Sequence, residues 1–146
     1  MTCRRTISYT QFCDGRDKMA DQRKKVLVVD DNLGMLKMLM VNVARWGYQP
    51  VPATGPEDAM RIFESDPEIQ LVISDHNMSP LTGIQLIARL RRMDRKFEAI
   101  IFSARRPERL AATAVVFGIR KFVPKPDYQW LHEELIAAVT DLETNS

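Results

Sequence analysis

The chain has 146 residues, 45% hydrophobic and 27% charged, with a formal net charge of +2. That is enough for one domain around a single core, with the composition of an ordinary globular protein. No apolar run approaches the roughly 20 residues needed to cross a bilayer, and Arg4 and Arg5 have no apolar segment behind them, so neither membrane insertion nor a secretory leader is expected.

The charge is unevenly spread. Residues 1–25 hold seven Lys/Arg against three Asp, an excess of +4, which leaves the rest of the chain at −2. Acids interrupt the basic residues, so a solvated leader is expected rather than a nucleic-acid-binding arm. Residues 1–24 show no sustained period and read as a flexible N-terminal extension, with Met19 an alternative start. Both cysteines, Cys3 and Cys13, lie in it without metal spacing, which points to reduced thiols and a cytoplasmic location.

From residue 25 onward the pattern alternates. Val26–Val29 is a continuous apolar run, the mark of a strand buried on both faces, and Asp30, Asp31 and Asn32 follow it. A helix over Leu33–Trp46 places Leu36, Leu39, Met40, Val43 and Ala44 on one face and stops at Gly47. Tyr48–Val51 reads as a weaker strand, and Pro50 and Pro52 put it at an edge. A second helix starts at Thr54-Gly55-Pro56, with Ala59, Ile62 and Phe63 inward, and ends at Asp66-Pro67. Leu71–Ser74 is a third buried strand running into Asp75. The third helix spans Gly83–Met93, burying Ile84, Ile87, Ala88 and Leu90, with the Arg89–Arg92 run as a solvated face. Ala99–Phe102, a helix from Pro107 to Phe117-Gly118, Arg120–Val123 and a helix over Tyr128–Asp141 complete the series. The last helix carries Leu131, Leu135, Val139 and Leu142 on one stripe. Strict βα alternation predicts an α/β fold with a five-stranded parallel sheet and helices on both faces, in the flavodoxin-like (βα)5 order 2-1-3-4-5.

In that order four neighbouring strands end on one edge with polar groups: Asp30 and Asp31, Asp75, Ser103 and Lys125. Each alone has a plain explanation, since Asp30 or Asp31 could cap the first helix, Ser103 the fourth, and most lysines are solvated. Together they form a constellation. Three carboxylates in one patch repel one another, and a hard divalent cation such as Mg²⁺ removes that penalty. A lysine and a hydroxyl beside the metal make an electrostatic clamp for a phosphoryl group.

These residues carry a resemblance. From about Lys25 to Leu142 the chain resembles the receiver domains of bacterial two-component response regulators, of the CheY-like single-domain kind. The matching pieces are Val26-Leu27-Val28-Val29-Asp30-Asp31-Asn32, then Asp75, Asn77 and Met78 with Gly83 beyond, then Phe102-Ser103-Ala104, and Phe117-Gly118 with Phe122 and Lys125-Pro126. The resemblance implies a receiver domain over 25–146 with Asp75 as phosphoacceptor. It implies Mg²⁺ held by Asp31, Asp75 and the Asn77 backbone carbonyl, with Asp30 acting through water. Lys125 would pair with the carboxylate and then with the phosphoryl oxygens, the Ser103 hydroxyl would bond to the phosphoryl group, and Phe122 would be the aromatic switch. The Lys125–Pro126 peptide would be cis. The phosphoryl group would come from a sensor histidine kinase, or pass to or from a histidine phosphotransfer protein. Output would be a protein contact through the face of the fourth helix, fifth strand and fifth helix, with Tyr128 and Trp130 nearby. The chain ends at Asp141–Ser146, so no attached output module is expected.

Two departures stand out. Ser79 separates Met78 from Pro80 where relatives commonly place proline directly after the methionine, and Phe122 lacks a tyrosine's hydroxyl. Arg105 and Asn77 are expected to tune loss of the phosphoryl group. Three other classes compete with this one. An aspartyl-phosphate phosphatase would carry Asp-x-Asp after the first strand, where this chain has adjacent acids, so no enzyme acting on a separate substrate is expected. A flavin carrier would need a phosphate-binding loop where Asp30 and Asp31 stand. A receiver that only binds, without phosphorylation, is the third.

Overall fold

The computed structural model describes residues 22–104, 111–119 and 121–144, with side chains of 111–113 excepted. The expectations for Cys3, Cys13, Met19, Arg105, the start of the fourth helix at Pro107, and Arg120 lie outside the described residues. Ten elements alternate along the chain: β1 (Lys25–Val29), α1 (Leu33–Arg45), β2 (Gln49–Ala53), α2 (Pro56–Ser65), β3 (Leu71–Ser74), α3 (Gly83–Arg91), β4 (Glu98–Ser103), α4 (Ala111–Val116), β5 (Lys121–Pro124) and α5 (Tyr128–Thr144). The sheet is five-stranded in the order β2-β1-β3-β4-β5, and every pairing is parallel. Among the described residues, no helix is long and apolar enough to cross a membrane.

The continuous apolar strands follow from a sheet covered on both faces. Side chains alternate between two cores along each strand. Leu27, Val29, Val72, Ala99 and Ile101 point to the face covered by α2 and α3, with Phe63, Leu86, Ile87 and Leu90. Val26, Val28, Leu71, Ile73, Ile100 and Phe102 point to the other, with Leu36, Leu39 and Val43 of α1 and Leu131, Leu135, Ala138 and Leu142 of α5. Pro50 and Pro52 lie inside β2, which runs two residues further than expected, and they are tolerated because β2 is an edge strand paired to β1 alone.

Several expected faces are corrected. Ala44 is exposed, and Ala88 is only half-buried while Leu86 takes the core position in α3. In α5, Ala138 is fully buried with Leu131 and Leu135, and Val139 lies at the rim of the core. Arg91 does not belong to a solvated run, although Arg89 and Arg92 do. Its guanidinium donates to the carbonyls of Phe117 at 2.9 Å, Phe97 at 2.6 Å and Gly118 at 3.4 Å, and lies 3.9 Å from the Phe97 ring centroid. A cation placed there satisfies the orphan carbonyls that end α4 and complements its dipole. Arg95 repeats the device on α2, donating to Phe63, Asp66 and Ile69 carbonyls while stacking on Phe63.

Candidate functional site: an acidic pocket at the sheet's carboxyl edge

The site forms because parallel strands all deliver their carboxyl ends to one edge, and the chain order reverses between β1 and β3. Asp30 follows β1, its N–H bonded to Ala53 at 3.2 Å, and Asp75 follows β3, its N–H bonded to Val29 at 2.9 Å. Asp30 and Asp75 are buried, and Asp31 is exposed. Neither Asp30 nor Asp31 caps α1. Asn32 does so, accepting the Met35 N–H at 3.0 Å, and Asp30 Oδ1 accepts the Asn32 N–H at 2.9 Å. The Asp30 carboxylate is thereby locked in the turn, and its second oxygen is left to face the pocket.

One oxygen from each of Asp30, Asp31 and Asp75 lies within 4.8 Å of the others. An all-oxygen, triply acidic set with one open, exposed member fits a hard divalent cation that keeps part of its water shell. Lys125 is drawn in by the β4–β5 ladder, its N–H bonding to the Ser103 carbonyl at 2.9 Å. Its ammonium donates to Asp30 Oδ2 at 2.8 Å and lies 3.4 Å from Asp75 Oδ1. Burial raises the Asp75 carboxyl above its ordinary value; the Lys125 charge opposes this and the Asp30 charge adds to it. Burial pulls Lys125 down, but the hydrogen bond and charge of Asp30, with the charge of Asp75, outweigh it and leave the ammonium above its ordinary value.

Ser103 is buried at the end of β4, beside Pro124 in the register. Phe122 is half-buried and packs against the core on the α2 and α3 face. Asn77 is exposed in the loop after β3, which is turned back by Met78 and Gly83 N–H bonds to the His76 carbonyl at 3.0 and 2.9 Å. The Lys125–Pro126 peptide is cis as expected, and so is Ser79–Pro80. The inserted Ser79 leaves the approach of Gly83 to the loop intact: a Cβ at Gly83 would lie 2.4 Å from the Asp75 carbonyl oxygen. Tyr128 packs on Phe102, ring centroids 5.3 Å apart, and the Trp130 indole N–H donates to Glu134 at 3.1 Å. The pocket as a whole can hold a hard cation on its carboxylates and present the Lys125 ammonium beside it.

A family model for the response regulator receiver domain matches residues 26–139. The transcriptional regulatory protein GlrR of Escherichia coli (strain K12) is 32% identical over 110 residues, covering 74% of this chain and 24% of that protein. The chain therefore spans about a quarter of that relative's length. The chemotaxis protein CheY1 of Helicobacter pylori (strain J99) is 26% identical over 106 residues, 70% of this chain and 85% of that protein. Among solved structures, the signal receiver domain of an HD domain-containing protein from Pseudomonas fluorescens Pf-5 superposes with a TM-score of 0.77 at 26% identity, covering 84% of this chain and 99% of that one. The chain belongs to the response regulator receiver domain family, with the CheY-like fold.

Proposed function

We propose that this receiver takes a phosphoryl group onto Asp75 from the phosphohistidine of a sensor histidine kinase or histidine phosphotransfer protein, and signals through a phosphorylation-dependent protein contact. The observation that carries the reading is the meeting of Asp30, Asp31 and Asp75 oxygens within 4.8 Å, with the Lys125 ammonium against two of the three carboxylates. An Asp75 oxygen forms the new bond to phosphorus as the phosphorus–nitrogen bond to histidine breaks, and the imidazole leaves. Lys125 would move its charge from the carboxylates to the phosphoryl oxygens, and the Ser103 hydroxyl would donate a hydrogen bond to the phosphoryl group once it is on Asp75. Asp31, Asp75 and the Asn77 carbonyl would hold Mg²⁺, with Asp30 acting through water, and the ion when bound supplies charge stabilisation to the transferring phosphoryl group.

The output contact is assigned to the face of α4, β5 and α5. Val115 and Val116 of α4 are 57% and 78% exposed there, which supports a docking role. Coverage of 85% of the short CheY1 relative supports a stand-alone receiver. The reading carries with it a cytoplasmic location and no turnover of a separate substrate. A phosphorelay role, passing the group on to a phosphotransfer histidine, uses the same chemistry in reverse.

Intact-mass analysis tests the reading. Wild type incubated with acetyl phosphate and Mg²⁺ gains one phosphoryl mass, while Asp75→Asn and an EDTA control do not. No adduct on wild type, with beryllofluoride bound all the same, would make this a receiver that binds without being phosphorylated by small donors.

A further inference from the structure

β3 reads Leu71, Val72, Ile73 and then Ser74, all four essentially inaccessible to solvent. A hydroxyl in such a position is costly unless it is bonded, and a small apolar residue would satisfy packing alone. The Ser74 hydroxyl is bonded: it donates to the Asp75 carbonyl at 2.8 Å. The other peptide group flanking Asp75 is held as well, its N–H donating to the Val29 carbonyl at 2.9 Å. The Asp75 carbonyl is also pressed by α3, since it occupies the space where a Gly83 Cβ would stand.

We infer that Ser74 is a positioning residue for phosphoryl transfer, its hydroxyl fixing the Asp75 peptide plane so that the carboxylate faces the Lys125 ammonium and the acidic pocket. The inference rests on the reading of Asp75 as phosphoacceptor. With both flanking peptides held, the Cα–Cβ direction of Asp75 is set, and only the two side-chain torsions remain. In-line transfer depends steeply on that direction, because a misplacement of about 1 Å costs on the order of 10²-fold in rate. The Ser74 hydroxyl is spent on the Asp75 carbonyl and is not one of the pocket's carboxylates, so its loss acts on the rate at saturation rather than on donor binding.

The test compares wild type, Ser74→Ala and Val72→Ala, all at a temperature where circular dichroism shows each fully folded. Val72 is equally buried in the same strand but faces the core, and its truncation reports the effect of lost packing alone. Phosphorylation by acetyl phosphate is followed by intact mass across donor and Mg²⁺ titrations. Ser74→Ala is expected to lower the saturating rate about tenfold, with half-saturation for donor shifted less than about twofold, and Val72→Ala to keep the wild-type rate. A wild-type rate in Ser74→Ala, an equal slowing in Val72→Ala, or a loss confined to half-saturation overturns the inference while leaving Asp75 as phosphoacceptor. A wild type that takes up no phosphoryl group overturns the underlying reading, and this inference with it.

Discussion

The Lys125 ammonium sits 2.8 Å from Asp30 Oδ2 and 3.4 Å from Asp75 Oδ1, so the acid that follows β1 holds it more tightly than the acid that follows β3. The lysine thus neutralises Asp30 first and leaves Asp75, the proposed phosphoacceptor, the weaker of its two partners. Lys125→Met should lower phosphorylation by acetyl phosphate on the order of 10²-fold, the usual loss for one charge aimed at a transferring group. It should also leave Asp30 buried without a cation. Breaking a buried pair from one side costs about 3–5 kcal/mol, so the variant should melt well below wild type in EDTA and recover part of the gap in millimolar Mg²⁺. Equal melting of the two proteins in EDTA would mean that Lys125 contributes nothing to the resting fold.

Gly83 is fixed by contact rather than by backbone angle. An added methyl would meet the Asp75 carbonyl oxygen at 2.4 Å and Ile101 Cδ1 at 3.1 Å. Backbone cannot yield as a flexible side chain does, so Gly83→Ala should cost about 1–3 kcal/mol by overpacking. Urea titration would show a lower midpoint at an unchanged slope. An unshifted midpoint would mean that α3 slides freely on the Asp75 loop.

Arg91 links three carbonyls from the ends of α4 and the loop before β4. Truncation to methionine keeps the stem over Phe97 but strips the donors, leaving partly buried acceptors unpaired at about 1–3 kcal/mol. Arg89→Ala on the exposed face of the same helix should stay within about 0.5 kcal/mol of wild type. Similar urea midpoints for the two variants would return Arg91 to the solvated face its neighbours occupy.

Asp66 provides a pH signature away from the acidic pocket. Burial works against its ionised form, but the hydrogen bond and charge of Lys25 at 2.8 Å, with the Glu68 N–H, hold its carboxyl below the ordinary value of 3.8. A depressed folded value adds stability that is present above the unfolded value and lost as pH falls through the folded one. Asp66→Asn keeps an acceptor for the Glu68 N–H and loses the charge. It should be less stable than wild type by on the order of 1 kcal/mol at pH 7, and the gap should close below pH 3.8. A gap of constant size across that range would assign the loss to shape rather than charge.

The strands and the order of the sheet were legible because two-faced burial writes short apolar runs rich in β-branched residues and closed by turn formers, as at Val26–Val29 and Leu71–Ile73, whereas the apolar runs Met38–Val41 and Leu135–Val139 lie inside longer helical patterns. The acidic pocket was legible for a related reason: in an all-parallel sheet, position after a strand is position on one edge, so Asp30, Asp75, Ser103 and Lys125 could be brought together without coordinates. Helix faces were read less well. Periodicity alone does not say where a neighbouring element ends its coverage, so it puts the exposed Ala44 inward and passes over the buried Leu86.

The sequence by itself determined the alternation, the edge on which chemistry collects and the residue types that collect there, since these follow from local pattern and from the connectivity of parallel strands. Tertiary structure alone decided who bonds to whom. Asn32, not an aspartate, caps α1; Lys125 prefers Asp30 to Asp75; the Ser74 hydroxyl finds the Asp75 carbonyl; and Arg91 turns inward to the end of α4. Each of these is a competition among partners within a few ångströms, between groups up to 95 residues apart in the chain, as for Lys125 and Asp30. Such competitions are settled by differences in distance and burial that arise only when the helices are packed.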